Sequence, residues 1–193
     1  MLSYKESLKI LKETNALLEG HFVLSSGLHS DKYVQCAQLL SKPEKSSQIC
    51  QSLAEKINEK FTNINLILAP AMGGIVIGFE IGRILKIETI FSERVNGKFE
   101  LRRDFKIEKG RNVLIIEDVI TTGKSSIECS QLVKQAGANL IGYACIIDRS
   151  NDKSLIKEKV ISQVKIDIPV YDPKNLPKHL SSIKAIKPGS RNL

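Results

Sequence analysis

Glu117 and Asp118 stand side by side at the end of an apolar run, Val113-Leu114-Ile115-Ile116. Two residues later comes Thr121-Thr122-Gly123-Lys124-Ser125. Adjacent carboxylates can accept hydrogen bonds from sugar hydroxyls or bear on a metal-bound sugar. The Thr/Gly/Ser stretch leads into a helical pattern, and the first N–H groups of a helix lack internal partners. Those groups, the macrodipole and the hydroxyls favour a phosphate, and Gly123 permits close backbone approach. Gly123-Lys124-Ser125 also ends like a Walker A loop, which needs a glycine where this chain has Asp118. A carboxylate there would face the phosphate it was meant to cradle. The acids and the loop read instead as a holder for a ribose 5-phosphate, with the diol on the acids and the phosphate on the loop.

A buried strand has to deliver the acids, and the chain supplies several. Apolar runs at 65–69, 88–93, 112–116 and 139–147 read as strands. Between them, 75–85 reads as a helix or buried segment, and 124–136 as a helix ending at Gly137. Buried strands alternating with helices predict an α/β fold, a mainly parallel twisted sheet flanked by helices. Ligands of such sheets bind at the carboxyl ends of the strands. Loops 70–74, 117–125 and 148–151 emerge there. Upstream, Ser3 and Glu6 form a capping-box pattern, and Leu8, Leu11, Leu17 and Leu18 predict one helix closed by Gly20. Residues 21–36 read as short strand pieces around Ser25-Ser26-Gly27. Pro43 opens a helix with Ile49, Leu53, Ala54 and Ile57 on one face.

The totals narrow the class. At 193 residues the chain predicts one domain with a self-sufficient core. No apolar run approaches the ~18 residues of a membrane span. The N-terminal segment lacks the apolar centre of a signal peptide, which gives a cytoplasmic reading. Cys36, Cys50, Cys129 and Cys145 form no CxxC pair and read as reduced core thiols. The net charge of +8 favours an anionic partner without choosing among nucleic acid, acidic membrane and polyphosphate.

VLIIEDVITTGKSS (113–126) resembles the phosphoribosyl diphosphate (PRPP) signature of type I phosphoribosyltransferases. GHFVLSSGLHSDKYVQCAQLL (20–40) resembles the N-terminal segment of bacterial orotate phosphoribosyltransferases. APAMGGIVIGFEIG (69–82) is similar to their diphosphate-binding loop and following helix. FSERVNGKFELRRDF (91–105) is similar to the catalytic loop of a shorter-loop subgroup. Asp148-Arg149 matches the position where that family holds orotate. The chain is identified as a member of this family over roughly residues 15–150.

The resemblance implies the type I phosphoribosyltransferase fold, with a small N-terminal hood and a mobile lid hairpin. It implies a single domain over 1–193, with helix and hood in 1–40 and the PRPP-binding core in 60–150. The implied reaction moves ribose 5-phosphate from PRPP to N1 of orotate, giving orotidine 5′-monophosphate and diphosphate in de novo pyrimidine (UMP) biosynthesis. Mg²⁺ is the implied cofactor, held through PRPP and water rather than by protein ligands. A homodimer sharing the lid across its interface is implied, with neither nucleic acid nor membrane as partner.

The implied roles fall on matching positions. Glu117, Asp118, Val119, Ile120, Thr121, Thr122, Gly123, Lys124 and Ser125 are assigned to PRPP. Ala71, Met72, Gly73 and Gly74 are assigned to its diphosphate, with Arg94 and Lys98 from the lid. Thr121, Arg149, Ser26 and Gly27 are assigned to orotate, Arg149 pairing with the carboxylate. An oxocarbenium-like transition state with charge building on diphosphate calls for cations and positioning, not for a nucleophilic triad. Lys98 is the first catalytic candidate, then Arg94, with Asp118 on the ribose; Arg102 and Arg103 remain alternatives.

Three positions depart from the family pattern. Ser25 and Gly73 stand where many members carry Lys, and Lys98 is followed by Phe99-Glu100 without a His. His21 and His29 flank the Ser-Ser-Gly turn, with surface or capping roles as their reading. Another nucleobase enzyme would share the PRPP loop, but Arg149 and the 20–36 segment argue against it. A nucleic-acid-binding regulator would suit the charge, yet no helix-turn-helix signature is present.

Overall fold

The computed structural model describes residues 1–151 and 154–188. Its main sheet has the order β5-β4-β3-β6-β7-β8. The strands are β3 (Leu66–Pro70), β4 (Thr89–Val95), β5 (Lys98–Leu101), β6 (Asn112–Ile120), β7 (Asn139–Asp148) and β8 (Val160–Lys165). Neighbours are parallel except the β4–β5 hairpin. The predicted mainly parallel sheet is therefore present, and β3, β6 and β7 at its centre are nearly continuous apolar runs, as strands covered on both faces must be.

Helices α1 (Tyr4–Glu13), α3 (Pro43–Lys60) and α4 (Gly73–Leu85) share one core with the sheet. Helix α5 (Lys124–Gln135) covers the opposite face, together with Phe99 and Ile107. Short helices α2 (Ala37–Leu40) and α6 (Lys178–Ser181) complete the set. Side chains alternate along β6: Val113 and Ile115 enter the α5 core, Leu114 and Ile116 the core of α1, α3 and α4. One more step of the same period sends Glu117 toward α5 and Asp118 toward α4.

Two predicted boundaries are corrected. Helix α1 keeps its capping box but ends at Glu13, well before Gly20. Asn15 adopts φ 59°, its N–H bonds Lys12 O, and Ala16 N–H bonds Leu11 O. That is a Schellman closure with asparagine in the left-handed position. Leu17 and Leu18 consequently belong to β1 (Leu17–Val23), which pairs with β2 (His29–Val34) as the hood. Strand β6 also runs past the acids to Ile120, pairing with β7 through Ile120↔Asp148. The loop proper begins at Thr121.

The C-terminal segment, which carries no motif, closes the hood. Val23 N–H bonds Ile186 O and Ile186 N–H bonds His21 O, both at 2.8 Å. On the other hood strand, His29 and Tyr171 exchange backbone hydrogen bonds at 2.9 and 2.8 Å. His21 is buried, with Nδ1 2.8 Å from Ile183 O and Nε2 2.5 Å from His29 Nδ1, so its role is internal rather than superficial. Among the described residues no helix is long and apolar enough to cross a membrane.

Candidate active site

The two acids part company at the end of β6. Ser126, in the first turn of α5, donates its hydroxyl to Glu117 Oε1 at 3.1 Å. Burial first, then the Asp118 charge, push the Glu117 carboxyl up to about 8; Ser126 and, more weakly, Arg94 pull it back. Asp118 faces the other way and accepts the Val119 N–H at 2.9 Å. Burial raises its carboxyl as well. Neither acid forms an ion pair among the described residues.

Gly73 explains itself through Asp118. A Cβ at Gly73 would lie 2.6–2.7 Å from the Asp118 carboxyl atoms. The absence of a side chain at position 73 leaves space for the acid. Ala71 is half-buried and bonds Ser92 O at 2.8 Å, while Met72 and Gly73 are exposed and Gly74 is buried. The Ala71–Met72 peptide is cis.

Beyond β6, Thr121, Thr122 and Lys124 are exposed and Ser125 half-buried. Gly123 caps α5 at φ 78° with no side-chain cap bond. The Lys124 N–H reaches Thr122 Oγ1 at 3.4 Å, and the Ser125 and Ser126 N–H groups that follow have no acceptor among the described residues. Val119 and Ile120 remain in the strand, with Ile120 buried. The Ile120 carbonyl takes the Arg149 N–H at 2.9 Å, which fixes the 148–151 loop beside the phosphate loop. The Arg149 side chain is half-buried, and its Nε is buried without a partner among the described residues. Burial lowers the guanidinium below its ordinary range, and Tyr33 of β2 opposes that. Ser26 and Gly27 are exposed at the hood tip, bonded only within their own turn.

The basic segment is an ordered hairpin at the sheet edge, turning at Asn96-Gly97 with φ 47° and 84°. Arg94 pairs with Glu128 at 3.0 Å, and Arg103 pairs with Glu93 at 3.1 Å. Lys98 and Arg102 are exposed, and neither side chain has a partner among the described residues.

Residues 37–174 match the family model described as phosphoribosyl transferase domain. This chain belongs to the phosphoribosyltransferase family. Relatives agree along nearly their whole length. Orotate phosphoribosyltransferase of Parvibaculum lavamentivorans is 44% identical, over 96% of this chain and 97% of its own. That of Desulforamulus reducens is 39% identical over 100% of both. The crystal structure of orotate phosphoribosyltransferase from Aeropyrum pernix superposes with a TM-score of 0.70 at 23% identity, covering 82% of this chain and 92% of that one. This last likeness carries the fold.

Four residues of this phosphoribosyltransferase escaped the sequence reading. Ser126 orients Glu117, Glu128 grips the hairpin, Tyr33 neighbours Arg149, and Ile156 lies where a Cβ on Gly123 would fall, 2.5 Å away. Only Ser126 had a local signal, as the residue closing the Thr/Gly/Ser run. Among the described residues no cluster of three or more His, Cys, Asp or Glu could hold a metal. Two adjacent acids, Glu117 buried and Asp118 half-buried, with no ion-pair partner among the described residues, nevertheless suit a divalent ion that arrives with a sugar diphosphate.

Proposed function

We propose that this phosphoribosyltransferase joins orotate to the ribose 5-phosphate of PRPP, releasing diphosphate, as a step of pyrimidine nucleotide synthesis. The observation that carries the reading is the buried Nε of Arg149, which has no partner among the described residues and is held through its own backbone against the residue that precedes the proposed phosphate loop. A free guanidinium edge beside a ribose-phosphate cradle calls for a base bearing a carboxylate.

In this reading the α5 N-terminus and residues 121–125 hold the 5-phosphate, and Glu117 and Asp118 accept from the ribose hydroxyls. Backbone groups of 71–74 approach the diphosphate. Mg²⁺, bound with PRPP, supplies neutralising charge on the leaving group. Lys98 leads the catalytic candidates because no acid among the described residues engages it; closure of the hairpin would bring it to the diphosphate. Four free, buried cysteines suit a reducing cytoplasm.

The deciding experiment follows orotate absorbance with PRPP and Mg²⁺ together and with each omitted. Loss that requires both is expected; no loss by a folded, PRPP-binding protein rejects orotate as the base. Arg149→Ala should raise the KM for orotate about 10- to 100-fold, the worth of a charge-assisted contact, and leave that for PRPP within about twofold. Equal effects on both would remove Arg149 from the carboxylate.

The same reading includes a homodimer. Met72, Val76 and Phe79 are 84%, 51% and 66% exposed along one side of α4, while Gly74, Ile77, Gly78 and Ile81 are buried on the other. An apolar stripe beside the diphosphate loop supports burial against a second copy. Phe79→Glu should convert a sedimenting dimer to monomer; an undisturbed dimer would exclude this face.

A further inference from the structure

Helix α5 carries the phosphate loop at its start and Glu128 one turn later. The Glu128 carboxylate takes hydrogen bonds from Arg94 Nη1 at 3.3 Å, from Arg94 Nη2 at 3.0 Å and from the Phe99 backbone N–H at 2.9 Å. Arg94 and Phe99 face each other across β4–β5, and β5 is the edge of the sheet. The carboxylate therefore satisfies a free edge donor and a guanidinium at once. The guanidinium lies 4.1 Å from the centre of the Phe99 ring, and its Nη1 also donates to Gly97 O. On the same helix, two residues earlier, Ser126 bonds Glu117. Ser92 of β4 meets Cys129 of α5 at 3.3 Å. The hairpin is thus fixed to the helix that shapes the sugar-phosphate site, at Ser92 in its base and at Arg94 and Phe99 one pair from the turn, while Lys98 is exposed.

We propose that Glu128 is a positioning residue: it fixes the direction of the Arg94 guanidinium on the hairpin and so sets PRPP affinity. The same carboxylate takes the Phe99 N–H, which keeps the hairpin in register as PRPP binds. The proposal rests on the reading of the hairpin as a PRPP-side element. It separates two cations that the sequence could only rank, Lys98 before Arg94: Arg94 is held by a carboxylate of its own chain, and Lys98 has no partner among the described residues.

The test is steady-state kinetics of the full chain with Arg94→Ala, Glu128→Ala, Glu128→Gln and the double alanine variant, each checked by thermal melting. Glu128→Ala should raise the KM for PRPP about tenfold and leave that for orotate within about twofold. Glu128→Gln keeps an oxygen for the Phe99 N–H but loses the charge, and should restore only part of the affinity. With Arg94 already Ala, removing Glu128 should change the PRPP KM by less than about twofold, because the two act as one unit. Wild-type PRPP kinetics in both Glu128 variants, with Arg94→Ala impaired, would overturn the proposal and leave the assigned reaction standing. Multiplying effects in the double variant would also overturn it. Unimpaired Arg94→Ala would instead remove the hairpin reading on which it rests. If the alanine variant does not fold, Glu128→Gln carries the comparison.

Discussion

Asp118→Asn is expected to lower kcat/KM for PRPP at least about a hundredfold while leaving the melting temperature close to that of the native chain. A hydrogen bond to a charged group contributes about 1.5–3 kcal/mol, and the proposed role gives Asp118 one ribose hydroxyl and a share of the divalent ion's charge. Stability should change little for three reasons. Burial already raises this carboxyl, so the fold gains nothing from its charge. It has no ion-pair partner among the described residues. An asparagine oxygen can still accept the Val119 N–H, now at 2.9 Å. Gly73→Ala should reach the same outcome by another route. The new methyl would occupy the space of the Asp118 carboxyl, 2.6–2.7 Å away, and a side-chain end can swing aside without disturbing the fold. The neighbouring glycine is different: a Cβ at Gly74 would meet the backbone oxygen of Ile116 at 2.8 Å, so substitution there should cost stability. Initial rates over a PRPP series at saturating orotate, beside thermal melts, check all of this. Native kcat/KM in Asp118→Asn would remove its sugar-holding role.

The strand end, the acids and the helix start of the proposed ribose-phosphate cradle were legible because they are contiguous. One strand, two acids and one helix start occupy residues 113–126, and each signal is local. The division of the acids between two faces was also implicit, since it follows from the period of β6. The hood was harder. Leu17 and Leu18 satisfy a helical face and a strand equally well, and closure of α1 depends on Asn15 in a conformation more often given to glycine. What the sequence could not display were pairings between distant segments. Glu128 meets Arg94 across 34 residues, and Ile186 joins the hood from the far end of the chain. Neither has periodicity or a motif. Gly73 is instructive in the same way: as a departure from the family pattern it looked like a lost contact, and its meaning appears only when Asp118 is placed against it.

PRPP binding is expected to release a proton near neutral pH, and Glu117 is the group that releases it. In the free protein burial and the Asp118 charge hold this carboxyl at about 8, so at pH 7 it is mostly protonated. Sugar hydroxyls that donate to it, and a divalent ion nearby, favour the ionised form. The complex then binds fewer protons than the free protein, and apparent PRPP affinity must rise with pH. The slope is up to about tenfold per unit below about pH 8, then flat. The stability of the free protein follows the opposite course. Below the ordinary value of 4.5 both folded and unfolded chains keep the proton, and Glu117 contributes no slope. From there to about 8 the folded chain keeps a proton the unfolded chain has lost, so stability falls as pH rises, by at most about 5 kcal/mol. Glu117→Gln retains an oxygen for Ser126 and cannot ionise. It should melt higher than the native protein at pH 8, lose at least about tenfold in kcat/KM, and show a flatter dependence of the PRPP KM on pH. Calorimetric titration in buffers of different ionisation enthalpy counts the proton directly. Equal proton release by the native and Glu117→Gln proteins would assign the titration to the PRPP phosphates and leave Glu117 in one protonation state throughout.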